Sequence, residues 1–125
     1  MKITVVGAGN AGVFTALCLA WYGRDFNFEI DLIYNPDIPP ERVGQATLVE
    51  APKILSEATG FNWYNNSIYA TMKSGILYEG WGKVNKKVFH DFPSHQMAMH
   101  YCPWEMHKHV LNSAQFKVTE GQVDP

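Results

Sequence analysis

Three glycines near the start of the chain have the spacing to hold a phosphate. Gly7, Gly9 and Gly12 stand in the stretch GAGNAG, a G-x-G-x-x-G pattern. In such a pattern the first glycine permits a tight turn, the second lets the backbone approach a pyrophosphate, and the third lets helix and strand pack closely. The N–H groups and positive dipole end of the following helix then face the anion. The second set of chemistry-bearing side chains is His90, His95, His100, His107 and His109. A five-residue step turns a helix by about 140°, and an odd step on a strand changes face. His107 and His109 fall on opposite sides of a helix, and neither H-E-x-x-H nor paired cysteines appear. Separate hydrogen-bonding histidines are therefore expected, and no metal. Cys18 and Cys102 give neither a disulfide framework nor a zinc spacing, and a reducing cytoplasm fits.

A glycine pattern signifies a nucleotide site only between a strand and a helix. Lys2 to Val6 is a short β-branched run, as expected of a buried parallel strand. Val13 to Gly23 reads as a helix ending near Gly23, and Ile30 to Tyr34 as a second strand. Residues 2–34 thus form a β-α-β unit. An acidic residue at the end of the second strand would bind an adenosine ribose. Tyr34 stands there, followed by Asn35. Asn35 could hydrogen-bond a ribose hydroxyl, or Tyr34 could pack against adenine.

Beyond this unit, Asn35 to Gln45 holds Pro36, Pro39 and Pro40 and reads as a stiffened, shaped binding loop. Ala51 to Thr59 is a predicted helix with Pro52 in its first turn, Ile54, Leu55 and Ala58 on one face, and Gly60 as terminator. Thr47 and Glu50 have capping-box spacing, but a start at Thr47 would put Pro52 where a backbone donor is needed. Thr71 to Trp81 reads as one strand with Thr71, Lys73, Gly75 and Leu77 on a shared face. Lys83 to Lys87 reads as a polar turn, Trp104 to Leu111 as a helix, and Gln115 to Thr119 as a strand.

Composition narrows the function further. Of 125 residues, 46% are hydrophobic and 18% charged, a balance that supports a core and argues against disorder. The formal net charge is −2, with no basic run, which disfavours nucleic acid held by its phosphates. The apolar stretch from Val13 to Tyr22 is too short to span a bilayer. Four Trp and 14% aromatics suggest a site for a flat organic molecule.

Several segments together resemble one family. GAGNAG, IDLIYNPDIPPERVGQATL and IYATMKSGILYEGWG are similar to the N-terminal part of flavin-dependent tryptophan halogenases, across most of residues 1–90. HYCPWEMHKHVL and FKVTEGQV look like the family's later helix and strand. The resemblance implies an α/β, Rossmann-like FAD-binding domain of the glutathione-reductase type. Gly7, Gly9, Asn10, Ala11 and Gly12 would hold the FAD pyrophosphate. Asn35, Ile38, Val43, Gly44, Ala46 and Thr47 look like the strap that links flavin and substrate sites. Lys73 stands where the family has its catalytic lysine, and the backbone near Val123 would meet the adenine. Tyr34, Gln45 and Arg42 depart from the family's acid, Glu and Gly at those places. The W-x-W-x-I-P motif, the catalytic glutamate and the halide loop would lie beyond residue 125. The chain is accordingly expected to be a fragment, inactive alone.

The resemblance implies that reduced FAD and O₂ oxidise a halide ion to hypohalous acid, which travels to Lys73. The ammonium there would hydrogen-bond the hypohalous oxygen; alternatively the neutral amine, favoured by burial, would form a haloamine. A small electron-rich aromatic, indole-like, is then halogenated. A separate flavin reductase would supply FADH₂, a homodimer is left open, and neither nucleic acid nor membrane is expected. Tyr78, Trp81 and Phe89 are expected in the core or in a site wall, with His90 as a wall residue. Two alternatives stay open: another FAD-dependent monooxygenase or oxidoreductase, and a non-catalytic nucleotide-binding module.

Overall fold

A computed structural model describes residues 1–82, 86–93, 97–113 and 116–123. Its elements run β1 (Lys2–Val6), α1 (Asn10–Tyr22), β2 (Glu29–Tyr34), β3 (Gln45–Ala46), α2 (Glu50–Thr59), β4 (Thr71–Lys73), β5 (Gly75–Glu79), β6 (Lys87–Asp91), β7 (Ala98–Tyr101), α3 (Pro103–Ser113) and β8 (Lys117–Glu120). A short 3₁₀ turn, Arg24–Phe26, lies between α1 and β2.

The first sheet is parallel, in the order β1-β2-β8. Ile3 pairs with Ile30 and Val5 with Leu32, so these four side chains share one face. The helix α1 covers that face and supplies Val13, Ala16 and Leu17 to the core. Its ending is local: Gly23 N–H donates to the Leu19 carbonyl at 2.9 Å, and a Cβ on Gly23 would lie 2.3 Å from that oxygen. On the opposite face Asp31 accepts a hydrogen bond from the Thr119 hydroxyl at 2.7 Å and faces Lys117 Nζ at 3.5 Å. This pairing lets an acid sit in the middle of a strand that sequence pattern reads as buried.

The second sheet is antiparallel, with β7 between β3 and β4. The helix α2 packs beside it through Ile54, Leu55 and Ala58, the face expected from sequence, and Gly60 ends the helix at φ +70°. Its start at Glu50 agrees with the rejection of a cap at Thr47. Helix α3 closes the same core with Met106 and Val110. Among the fully buried side chains, Leu32, Leu55, Ile68, Met99 and Met106 each stabilise the fold by about 1.5–3 kcal/mol.

Several expectations need correction. The strand expected over Thr71 to Trp81 breaks at Ser74: β4 pairs with β7, whereas β5 forms a hairpin with β6. The chain changes partner there: Phe92 N–H donates to the Ser74 carbonyl at 2.8 Å, and Gly75 lies so close to β6 that a Cβ would stand 2.5 Å from the His90 carbonyl oxygen and 2.5 Å from Phe89 Cζ. The shared face of Thr71, Lys73, Gly75 and Leu77 is lost with it: Lys73 is half-buried, and Leu77 is exposed. Lys87 opens a strand instead of closing a turn, and residues 83–85 of that expected turn lie outside the described residues. Helix α1 begins at Asn10, so the second half of the glycine pattern is already helical. Helix α3 is longer than expected at both ends, and the last strand starts at Lys117; Gln115 lies outside the described residues. Trp81 and Phe89 are exposed, not core, with Tyr78 half-buried against Trp81.

Candidate functional site

The carboxyl ends of β1, β2 and β8 meet at the glycine turn, the place where open α/β sheets take ligands. Gly7 has φ +94°, a conformation that side-chain-bearing residues rarely adopt, and its N–H donates to the Ile33 carbonyl at 2.8 Å. Gly12 lies under the turn, where a Cβ would stand 1.8 Å from the Gly7 carbonyl oxygen. Gly9 is the N-cap of α1 and has no side-chain cap. A Cβ on Gly9 would meet nothing within 4 Å. The three glycines therefore do three different jobs: Gly7 supplies the positive φ, Gly12 the close approach, and Gly9, at an ordinary φ of −68° with open space before its Cα, is the one expected to face a pyrophosphate. The helix start adds uncapped N–H groups around it. An anionic dinucleotide fits this cradle.

Two cavities adjoin the turn. One of about 210 Å³ lies between Gly7–Gly9, Tyr34, Asn35, the segment Ile38–Glu41 and His107. The other, about 290 Å³, is bounded by Val6, Gly7, Ile33–Asn35, Ile38 and Gly121–Val123. Asn35 and Ile38 line both, as does Tyr34, and Val123 lines the second. A third groove, about 570 Å³, runs between α1 and α2 and takes in Asn10, Ala11, Phe14, Ala46 and Thr47. Val43 and Gly44 are exposed on the loop that leads to β3.

The end of β2 is chemically unusual. Tyr34 replaces an acid, and its hydroxyl donates to Glu120 Oε1 at 3.2 Å, across the Tyr34–Glu120 strand pair. Burial, then the Glu120 hydrogen bond and charge, push the Tyr34 hydroxyl above its ordinary pKa, so it keeps its proton. Its ring meets the His107 imidazole edge-on at 5.4 Å. Asn35 Oδ1 accepts the Asp37 N–H at 2.9 Å, which stiffens the proline loop and leaves the Asn35 amide as a donor. Glu41 and Glu120 were missed by sequence reasoning, which weighed His107 only as a metal ligand and not as a neighbour of the glycine turn. None carries a local motif; they reach the site only through strand pairing, loop path and the packing of α3.

Lys73 belongs to the second sheet. It is half-buried at the end of β4, opposite Ala98 of β7. Its Nζ donates to the Thr47 carbonyl at 3.2 Å and stands 5.5 Å from the Phe92 ring centroid. Thus the lysine is bonded to the loop that begins beside the glycine turn.

The histidines do different things. His109 exchanges a 2.8 Å hydrogen bond with the Thr59 hydroxyl, His107 lies on Tyr34, and His90 meets Phe92 edge-on. His90 is exposed, His100 pairs with Ala46 and Thr71, and His95 lies outside the described residues. Among the described residues no three His, Cys, Asp or Glu side chains come together as a metal site. Burial lowers the pKa of both His107 and His109. No helix of the described residues is long and apolar enough to cross a membrane.

The parallel β-α-β unit, the glycine cradle and the crevice define a Rossmann-like α/β fold shared with FAD-dependent enzymes. The family model for tryptophan halogenase matches residues 2–123, and the chain belongs to that family. Solved structures agree on the fold. Xcc4156, a flavin-dependent halogenase from Xanthomonas campestris, superposes with a TM-score of 0.68 at 19% identity, over 97% of this chain and 34% of that one. BrvH, a flavin-dependent halogenase from Brevundimonas sp. BAL3, gives 0.70 at 16% identity, over 98% and 35%. A tryptophan halogenase from Shewanella frigidimarina gives 0.72 at 16% identity, over 100% and 37%. The chain spans about a third of the length of these proteins. A search of curated protein sequences finds no match.

Proposed function

We propose that this chain is the FAD-binding start of a flavin-dependent halogenase acting on a small aromatic, indole-like substrate. Residues 2–34 form the dinucleotide unit, 35–50 the flavin strap, and 71–82 the segment bearing the active-site lysine. The observation that carries the reading is the open face at Gly9 above a Gly12 where a Cβ would clash with the turn, within a chain matched to the halogenase family over residues 2–123. Gly7, Gly9, Asn10, Ala11 and Gly12 hold the pyrophosphate through backbone N–H groups. Asn35 donates to the adenosine ribose, and the backbone at Val123 meets the adenine. Ile38, Val43, Gly44 and Ala46 follow the cofactor along the strap. When bound in its reduced form, FAD supplies hypohalous acid from O₂ and a halide ion.

The chain's own contribution at the other end is Lys73. Its amine is held on the Thr47 carbonyl beside Phe92, so it has a fixed position from which to orient the hypohalous oxygen. A separate flavin reductase supplies FADH₂. The test uses the intact native polypeptide with FADH₂, halide and an indole-type substrate, read by mass spectrometry. Halogenated product is expected, and Lys73→Ala abolishes it while FAD stays bound. NAD(P)H oxidation through the reductase without halogenation would indicate a hydroxylase or oxidase and overturn the reading.

A further inference from the structure

We propose that Thr47 is a positioning residue for Lys73, acting by a hydrogen-bond substitution within the β3–β7 ladder; this rests on Lys73 being the active-site lysine. In a regular antiparallel ladder a hydrogen-bonded pair exchanges two N–H···O=C bonds. The register Gln45–Tyr101 and Ala46–His100 puts Thr47 opposite Met99 as the next pair. One of the two expected bonds is present: Thr47 N–H donates to the Met99 carbonyl at 2.9 Å. The return bond is altered. Met99 N–H donates to the Thr47 side-chain hydroxyl at 3.2 Å, where the Thr47 carbonyl would ordinarily accept.

That exchange releases the Thr47 carbonyl, and Lys73 Nζ donates to it at 3.2 Å. The hydroxyl thus stands in for its own backbone oxygen, and the freed oxygen anchors the amine. The geometry is consistent on the other edge of β7. Ala98 and His100 pair with Lys73 and Thr71 on β4, so Met99 directs its backbone groups to the β3 side. Strand β7 therefore sits between the strap and the lysine strand, and Thr47 joins them by a bond that crosses it. Any displacement of the strap at Thr47 moves the acceptor of the lysine. A side chain without an acceptor at position 47 would let Met99 N–H take back the carbonyl, and Lys73 would lose its anchor with the sheet intact.

The experiment compares wild type, Thr47→Val and Thr47→Ser in the intact native polypeptide. Valine keeps the shape and removes the acceptor; serine keeps the acceptor. The first readout is the rate at which Lys73 is reductively methylated, followed by peptide mass spectrometry with a surface lysine such as Lys53 as internal reference. Thr47→Val is expected to raise the Lys73 rate roughly tenfold, the population change set by one hydrogen bond to a charged group, while Thr47→Ser restores it. The second readout is kinetic: kcat for halogenation falls in Thr47→Val with KM and FAD affinity unchanged. Wild-type labelling of Lys73 in Thr47→Val, with a melting temperature equal to wild type, would overturn the proposal. Full halogenation by Lys73→Ala would instead overturn the role of the lysine, leaving the labelling result to stand on its own.

Discussion

Replacing Gly9 by alanine separates cofactor binding from folding. The residue has φ −68° and ψ −178°, which alanine adopts without strain. Its Cβ would meet no atom within 4 Å, so nothing in the protein needs to move. The change in stability is expected to stay within about 1 kcal/mol, on the favourable side, because alanine has less freedom to lose on folding. The methyl group instead occupies the space directly over the start of α1. A phosphate kept from two backbone N–H groups loses about 1.5–3 kcal/mol for each charge-assisted hydrogen bond. FAD affinity should therefore fall by roughly 10²- to 10⁴-fold, at 1.4 kcal/mol per factor of ten. Gly12→Ala is the contrasting variant. Its Cβ would lie 1.8 Å from the Gly7 carbonyl oxygen and 2.8 Å from the Gly7 carbonyl carbon, far inside favourable contact at roughly 3.5–4.0 Å. Both atoms are backbone, so relief requires the turn to open, and the melting temperature should drop. The assay pairs FAD titration by flavin fluorescence with thermal melting of the intact polypeptide. A Gly9→Ala protein that melts like wild type and binds FAD with wild-type affinity would refute the assignment of the phosphate to this turn.

Two further predictions concern pH. Asp31 is held below its ordinary pKa of 3.8, first by the Thr119 hydroxyl and then by Lys117. Its contribution is complete above that ordinary value and is lost as pH falls through the lowered one, so Asp31→Asn should flatten the acid end of the melting-temperature profile. His107 and His109 are pushed below 6.5 by burial, so the unfolded chain binds more protons between 6.5 and the lowered values. Stability is full above about pH 6.5 and declines as the pH falls; in the double variant His107→Gln, His109→Gln that decline should be absent from melting curves recorded at successive pH values.

Local sequence determined the part of this protein that depends on neighbouring residues. The glycine spacing, the β-branched run before it and the apolar helix after it specify a β-α-β phosphate cradle without reference to anything distant. Pro52 and Gly60 similarly bound α2, because each acts through its own backbone angles. Tertiary structure decided the rest. The break at Ser74 is a change of partner from β7 to β6, whose Phe89 and His90, fourteen and fifteen residues from Gly75 in sequence, approach that glycine closely. Tyr34, which sequence shows only as a missing acid, acquires Glu120 because a parallel register brings together residues 86 positions apart. By residue type and spacing alone Lys73 is a lysine on a strand, and only the family resemblance marks it out; its tie to Thr47 exists because β7 lies between two segments 26 residues apart and a side-chain hydroxyl replaces one rung of the ladder. Backbone preference is written residue by residue, whereas a hydrogen-bond partner is chosen only when the sheets have formed.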